Sequence, residues 1–192
     1  MRLARLLVLW SCVGILPAAA WGQPALGASP YFSRQVLEAS ARGGDTASNW
    51  SLAWMNADQG SLDRAWSWVE ALQAKDDEQA YFKAWLAWKT GRAEDALKTL
   101  ALSGCRSSKC DAMSVNVYWD KNALREAAAF ALEAYERSKT PQSYHLALLA
   151  ALVAKDVPSF DLLERSRPWR EEPSFAPWRS TIAGLLKTRS NM

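Results

Sequence analysis

Histidine is almost missing from this sequence: His145 is the only one in 192 residues. A catalytic or metal centre needs several chemistry-bearing residue types brought together. The chain offers no Gly-rich phosphate loop and no run of metal ligands. His145 stands between Tyr144 and Leu146 in the first turns of an expected helix, where it reads as a capping or packing residue. The acid cluster Asp76-Asp77-Glu78 and the pair Glu94-Asp95 fall at expected helix starts, where carboxylates complement the backbone dipole. Glu171-Glu172 lies in a Pro-containing stretch and reads as solvated. The expectation is a protein that is not an enzyme and that binds no cofactor and no metal. Glycine (9) and proline (8) are also sparse, which argues against low-complexity disorder. Beyond the N-terminal segment no apolar run approaches the length of a bilayer span, so no transmembrane segment is expected in the mature chain.

The N-terminal segment, residues 1–22, reads as a signal peptide. Arg2 and Arg5 precede the apolar run Leu6 to Leu16, and Pro17-Ala18-Ala19-Ala20-Trp21-Gly22 supplies small residues at cleavage spacing. Cutting after Ala20 or after Gly22 fits, and Gly22 is preferred because Ala20 and Gly22 then fill the two small-residue positions. An uncleaved anchor is the rival reading, which the short run argues against. A lipoprotein carrying its lipid on Cys12 is less favoured, because Trp10 is bulky for that signal. The mature chain then starts near Gln23 and is periplasmic or secreted. It keeps 21 basic and 20 acidic residues, a net charge of +1. Near-neutral charge and export both argue against a nucleic-acid partner. Two cysteines remain, Cys105 and Cys110, and outside the cytoplasm such a pair is most simply a disulfide. Asn49-Trp50-Ser51 fits a glycosylation sequon, which matters only in a eukaryotic secretory pathway.

Small residues recur with a period. Gly60 and Gly91 are 31 apart, as are Ala65 and Ala96, and a further 31 reaches Asn122 and Ala127. Ala53, Ala84 and Val115 keep the same offset, as do Leu62, Ala93 and Leu124. Such a period marks a repeat architecture. Each unit reads as helix, short turn, helix. Unit one spans about 47–57 and 62–74, and unit two about 77–89 and 93–102. In unit three the second helix covers about 123–137. Its first helix contains Ser114-Val115-Asn116-Val117-Tyr118-Trp119, which also alternates like a strand, but the repeat register makes it helical. Unit four opens at Thr140-Pro141, turns at Lys155-Asp156-Val157-Pro158 and restarts at Ser159. Helices over 30–41 and from Pro177 onward read as caps on the stack.

Two stretches carry a family resemblance: Leu86 to Leu102 (LAWKTGRAEDALKTLAL) and Leu52 to Val69 (LAWMNADQGSLDRAWSWV). Ala84, Gly91, Ala96 and Leu100, and in the other stretch Leu52, Ala53, Gly60 and Ala65, resemble the tetratricopeptide-repeat (TPR) consensus. Units three and four depart from it. Asn122 and Asp156 stand where Gly is usual, Asp161 replaces the small Ala, and the steps are shorter than the usual repeat of about 34. The resemblance implies an all-α fold of stacked αα-hairpins, a TPR-like right-handed solenoid with N- and C-terminal capping helices. Its domains are a segment with a capping helix over 23–45, repeats over 46–165 and a Pro-containing connection with a C-terminal helix over 166–192. It also implies a groove lined by one face of each first helix, which binds segments of another protein. Carried over, that face holds Trp50 and Trp54, then Tyr81, Trp85, Trp88 and Lys89, then Asn116, Trp119 and Asp120, then Leu146 and Ala150.

The chain has 11 tryptophans, and Trp and Tyr give large contact area with few rotors. The same residues at helical spacing also fit simple core packing. Trp66 and Trp68 are two apart, so at least one is expected to be partly exposed or to meet the next unit. The partner expected is another protein, an envelope or secretion component. A glycan stacked on the aromatic groove, as in polysaccharide export, is the alternative.

Overall fold

The computed structural model describes residues 30–166. The expected signal peptide, the start near Gln23, the lipidation reading of Cys12 and the Pro177 helix lie outside the described residues. Among the described residues the chain is helical with no strand. The elements are α1 (Pro30–Arg42), α2 (Thr46–Asp58), α3 (Leu62–Val69), α4 (Asp77–Lys89), α5 (Ala93–Ser103), α6 (Ser108–Asp120), α7 (Leu124–Ser138), α8 (Pro141–Ala154) and α9 (Val157–Ser166). Two compact units divide after Leu52, within α2.

In the first unit Gly44 (φ +92°) ends α1, and its neighbour Asp45 starts α2. The Asp45 carboxylate accepts from the backbone N–H of Ala47 (3.2 Å) and Ser48 (3.0 Å) and from the Ser48 hydroxyl. That hydroxyl bond is the largest influence holding the Asp45 carboxyl below its ordinary value. These bonds satisfy donors that the first turn of a helix leaves open.

In the second unit the helices pack in sequence and also two apart. α4 lies against α3, α5 and α6; α6 lies against α5, α7 and α8; α8 lies against α7 and α9. A single turn closes each helix pair. Gly60 donates to the Ala57 carbonyl and Ser61 to Asn56; Gly91 donates to Trp88 and Arg92 to Ala87; Asn122 donates to Trp119 and Ala123 to Tyr118; Lys155 donates to Leu152 and Asp156 to Ala151. This is the paired closure of a helix C-terminus by one left-handed residue. The left-handed residues are Gly60, Gly91, Asn122 and Lys155, with φ of +75°, +79°, +58° and +58°. Arg92 to Asp63 (3.1 Å) and Lys121 to Glu94 add one ion pair from each of two turns to the start of the preceding second helix. Both are exposed pairs of small energetic weight.

Three expectations are corrected. The second helix of unit one stops at Val69 rather than near Ala74. Further on, the carbonyls of Glu70 and Leu72 accept from the Lys83 ammonium (2.7 and 2.6 Å) instead of from the amides of another turn. The fourth left-handed residue is Lys155, not Asp156. Asp156 instead accepts from the Ser159 N–H (3.3 Å) and starts α9. The register moves back by one residue, so the place filled by Ala65, Ala96 and Ala127 falls to buried Phe160, not to exposed Asp161. The stretch Ser114–Trp119 is helical within α6, as the register required.

The main core lies among α6, α7, α8 and α9, around Val115, Ala131, Tyr144, Leu148 and Leu163. His145 is buried there, edge-on to Tyr144 at 5.9 Å between centroids. Of the two neighbouring tryptophans, Trp66 is buried and Trp68 half-buried.

Cys105 and Cys110 are bonded, with Cα atoms 6.1 Å apart. Their sulfurs lie 3.8 and 3.9 Å from the Asp77 carbonyl oxygen, so the bridge sits against the start of α4. Replacing both cysteines with serine is expected to lower stability by about 2 kcal/mol, the loop-closure entropy of so short a ring. The shift in the urea midpoint measures it, and an unchanged midpoint would show that the ring adds nothing.

Candidate functional site

One stripe of α4 stays out of the core. Ala80, Phe82, Lys83, Ala84, Leu86 and Ala87 are buried, whereas Tyr81, Trp85 and Trp88 are half-buried and Lys89 is exposed. Positions 81, 85, 88 and 89 share one side of a helix. The same division recurs on α6, where Asn116 and Trp119 are half-buried and Asp120 is exposed. A hydrogen bond joins the two stripes: the Trp88 indole N–H donates to Asp120 Oδ2 at 2.7 Å. The Lys89 ammonium lies 4.2 Å from the centroid of the Trp88 ring. A cation over an indole face is attracted to the ring's negative centre. Lys89, Trp88 and Asp120 thus form one cluster at the C-terminal ends of α4 and α6.

At the other end of the stripe Tyr81 borders a recess of about 250 Å³ with Asp77, Glu78, Ser107, Ser108 and Lys109. Burial pushes the Tyr81 hydroxyl above its ordinary value, so it stays a neutral hydrogen-bonding group.

Trp54 and Trp85 are linked through a residue that the sequence reading missed. Trp54 stacks on Phe82 at 3.3 Å between centroids and 15° between planes, and Phe82 lies 6.1 Å from Trp85, nearly parallel. Phe82 is buried, so the half-buried Trp54 and Trp85 are anchored to the core through it. Its signal was weak because it follows Tyr81 directly and therefore belongs to a different side of α4. Trp119 also packs partly onto the α6–α9 core, and its indole N–H meets no acceptor among the described residues.

Two expected groove residues are core. Trp50, in the first unit, is 6% exposed, and Ala150 is fully buried. Both were expected on the face itself, but the buried arc of each helix extends across them. Leu146 is half-buried and packs against the core. Of the expected face, Trp88, Lys89 and Asp120 are in contact and Trp54 and Trp85 are linked through Phe82, while Tyr81, Asn116 and Trp119 are half-buried on the same helices, α4 and α6. The face offers aromatic surface, one ammonium and one carboxylate, which suits binding through stacking and charge. No helix among the described residues is long and apolar enough to cross a membrane. No group of three or more His, Cys, Asp or Glu that could hold a metal ion occurs among them. No protein-family model matches the chain, and no curated protein matches it.

Proposed function

We propose that this is an exported TPR-like protein whose helix pairs form a right-handed solenoid, and that it serves as a scaffold for another protein in envelope assembly or secretion. The aromatic stripe of α4 and α6 captures a segment of that partner. The observation that carries the reading is the Trp88–Asp120 bond, which turns residues from two successive first helices into one continuous face. The fourfold repetition of one hairpin turn supports the repeat architecture. Indole rings supply contact area, and the charges of Lys89 and Asp120 set the register of what binds.

Lys89 is exposed, and Trp88 lies outside the buried arc of α4. The double variant Trp88→Ala/Lys89→Glu is therefore expected to keep wild-type circular dichroism. It is expected to lose at least about tenfold in affinity for the captured partner, the usual scale of a central aromatic anchor. Pull-down from envelope extract followed by titration of the partner measures this, and equal affinity for both proteins would end the reading. A tryptophan-fluorescence response to polysaccharide fragments, with no protein captured, would favour the glycan alternative.

A further inference from the structure

A second concave feature lies away from the aromatic stripe. The early end of α3 leaves residues 70–74 as a connection that, with α4 and α5, walls a cleft of about 670 Å³. Lys83 lines it and is only 9% exposed. Its ammonium spends two N–H groups on the carbonyls of Glu70 and Leu72 and keeps a third. Burial draws the Lys83 amine below its ordinary value, and the charges of Asp95 and Glu70 oppose that.

Asp95 and Lys98 also line the cleft, three residues apart on α5 and so on one side of it. Neither side chain makes a hydrogen bond or an ion pair with any described residue. Asp95 acts on Lys83 through space only, and both Asp95 and Lys98 are exposed, so their charged heads are accessible to a ligand. The apolar part of the lining is Trp66, Leu72 and Leu102, of which Leu102 is 78% exposed. The charged groups balance: Lys83 and Lys98 against Asp95 and Glu70. An anion or a cation alone meets as much repulsion as attraction, whereas a ligand carrying both charges satisfies both sets. The volume is that of a small-molecule site.

We propose that this cleft binds a short free peptide of zwitterionic form with apolar side chains. Its carboxylate meets Lys98 and the remaining N–H of Lys83, its ammonium meets Asp95, and its side chains lie against Trp66, Leu72 and Leu102. The site does not depend on the scaffold reading, because from α4 it uses only Lys83, which lies in the buried arc and not on the aromatic stripe.

The test is amide NMR of the protein titrated with leucyl-leucine, N-acetyl-leucyl-leucine and leucyl-leucinamide. The free dipeptide is expected to shift amides in 70–74 and 95–103. Each blocked form is expected to bind about tenfold more weakly, the loss of one charge-assisted contact. Lys98→Gln removes an exposed side chain with no ion-pair partner among the described residues, so the fold is kept. It should weaken the preference for the dipeptide over its amide, leaving the part that Lys83 supplies, and Asp95→Asn should remove the preference over its acetylated form. No shift in these segments, equal binding of the blocked forms, or unchanged preferences in the variants would overturn the proposal.

Discussion

Replacing Arg137 with alanine is expected to destabilise the protein by about 3 kcal/mol at neutral pH, the range measured when one partner of a buried ion pair is removed. Arg137 on α7 donates to Asp111 on α6 at 2.7 Å, and Asp111 is 3% exposed. Without the guanidinium the carboxylate stays buried and unpaired. The effect has a pH signature. Burial already raises the Asp111 carboxyl above its ordinary 3.8, with the Arg137 charge opposing the rise. A carboxyl raised on folding contributes stability that is fully present below its unfolded value and lost as pH rises through the folded value. Removing Arg137 raises the folded value further, so the deficit of the variant shrinks on acidification as the carboxyl takes up its proton. Urea unfolding of both proteins at pH 7 and pH 4.5 measures this. A loss below about 1 kcal/mol at pH 7, or a deficit that grows in acid, would contradict the burial argument.

Ala96→Leu is expected to cost about 3 kcal/mol, the upper end of overpacking in a close-packed interior. Ala65, Ala96 and Ala127 are each fully buried, on α3, α5 and α7. Ala96 lies on the helix that packs directly against α4. Ala96 has no exposed surface, so the three extra carbons of an isobutyl group must displace packed neighbours. The control is Ala101→Leu on the same helix, an exposed position where the change should stay within about 0.5 kcal/mol. Thermal unfolding of the two variants separates them. Equal midpoints would show that the recurring alanines reflect helix propensity rather than close helix contact.

The sequence made the hairpin turns legible wherever a left-handed residue coincides with a residue that favours that conformation. Gly60, Gly91 and Asn122 meet that condition. Lys155 does not: a lysine carries no sign of a positive φ, and the repeat register taken at a step of 34 from Asn122 pointed to the neighbouring Asp156. The true register then placed Phe160, not Asp161, against the core. The early end of α3 was hidden for a different reason. It coincides with two backbone bonds from Lys83, which is 11 residues from Leu72 in sequence and carries no mark of burial.

The aromatic face was legible as a helical stripe on α4, because positions 81, 85, 88 and 89 follow the helical period. Its edges were not. Trp50 and Ala150 fall within the buried arc, and one step in helix phase separates a groove residue from a core residue. The Trp54–Phe82–Trp85 stack was invisible because it depends on how α2 and α4 meet, which no local pattern records. The Cys105–Cys110 bond was readable because the two residues are close in sequence and span the single turn before α6.

The most direct test of the central claim is hydrogen–deuterium exchange on the protein alone and with its captured partner. Protection confined to 78–89 and 112–120, centred on Trp88 and Asp120, is the result expected of a segment held on the α4–α6 stripe. Protection confined to α3 and α5, with the stripe exchanging as in the free protein, would contradict it and place the partner on the opposite helices.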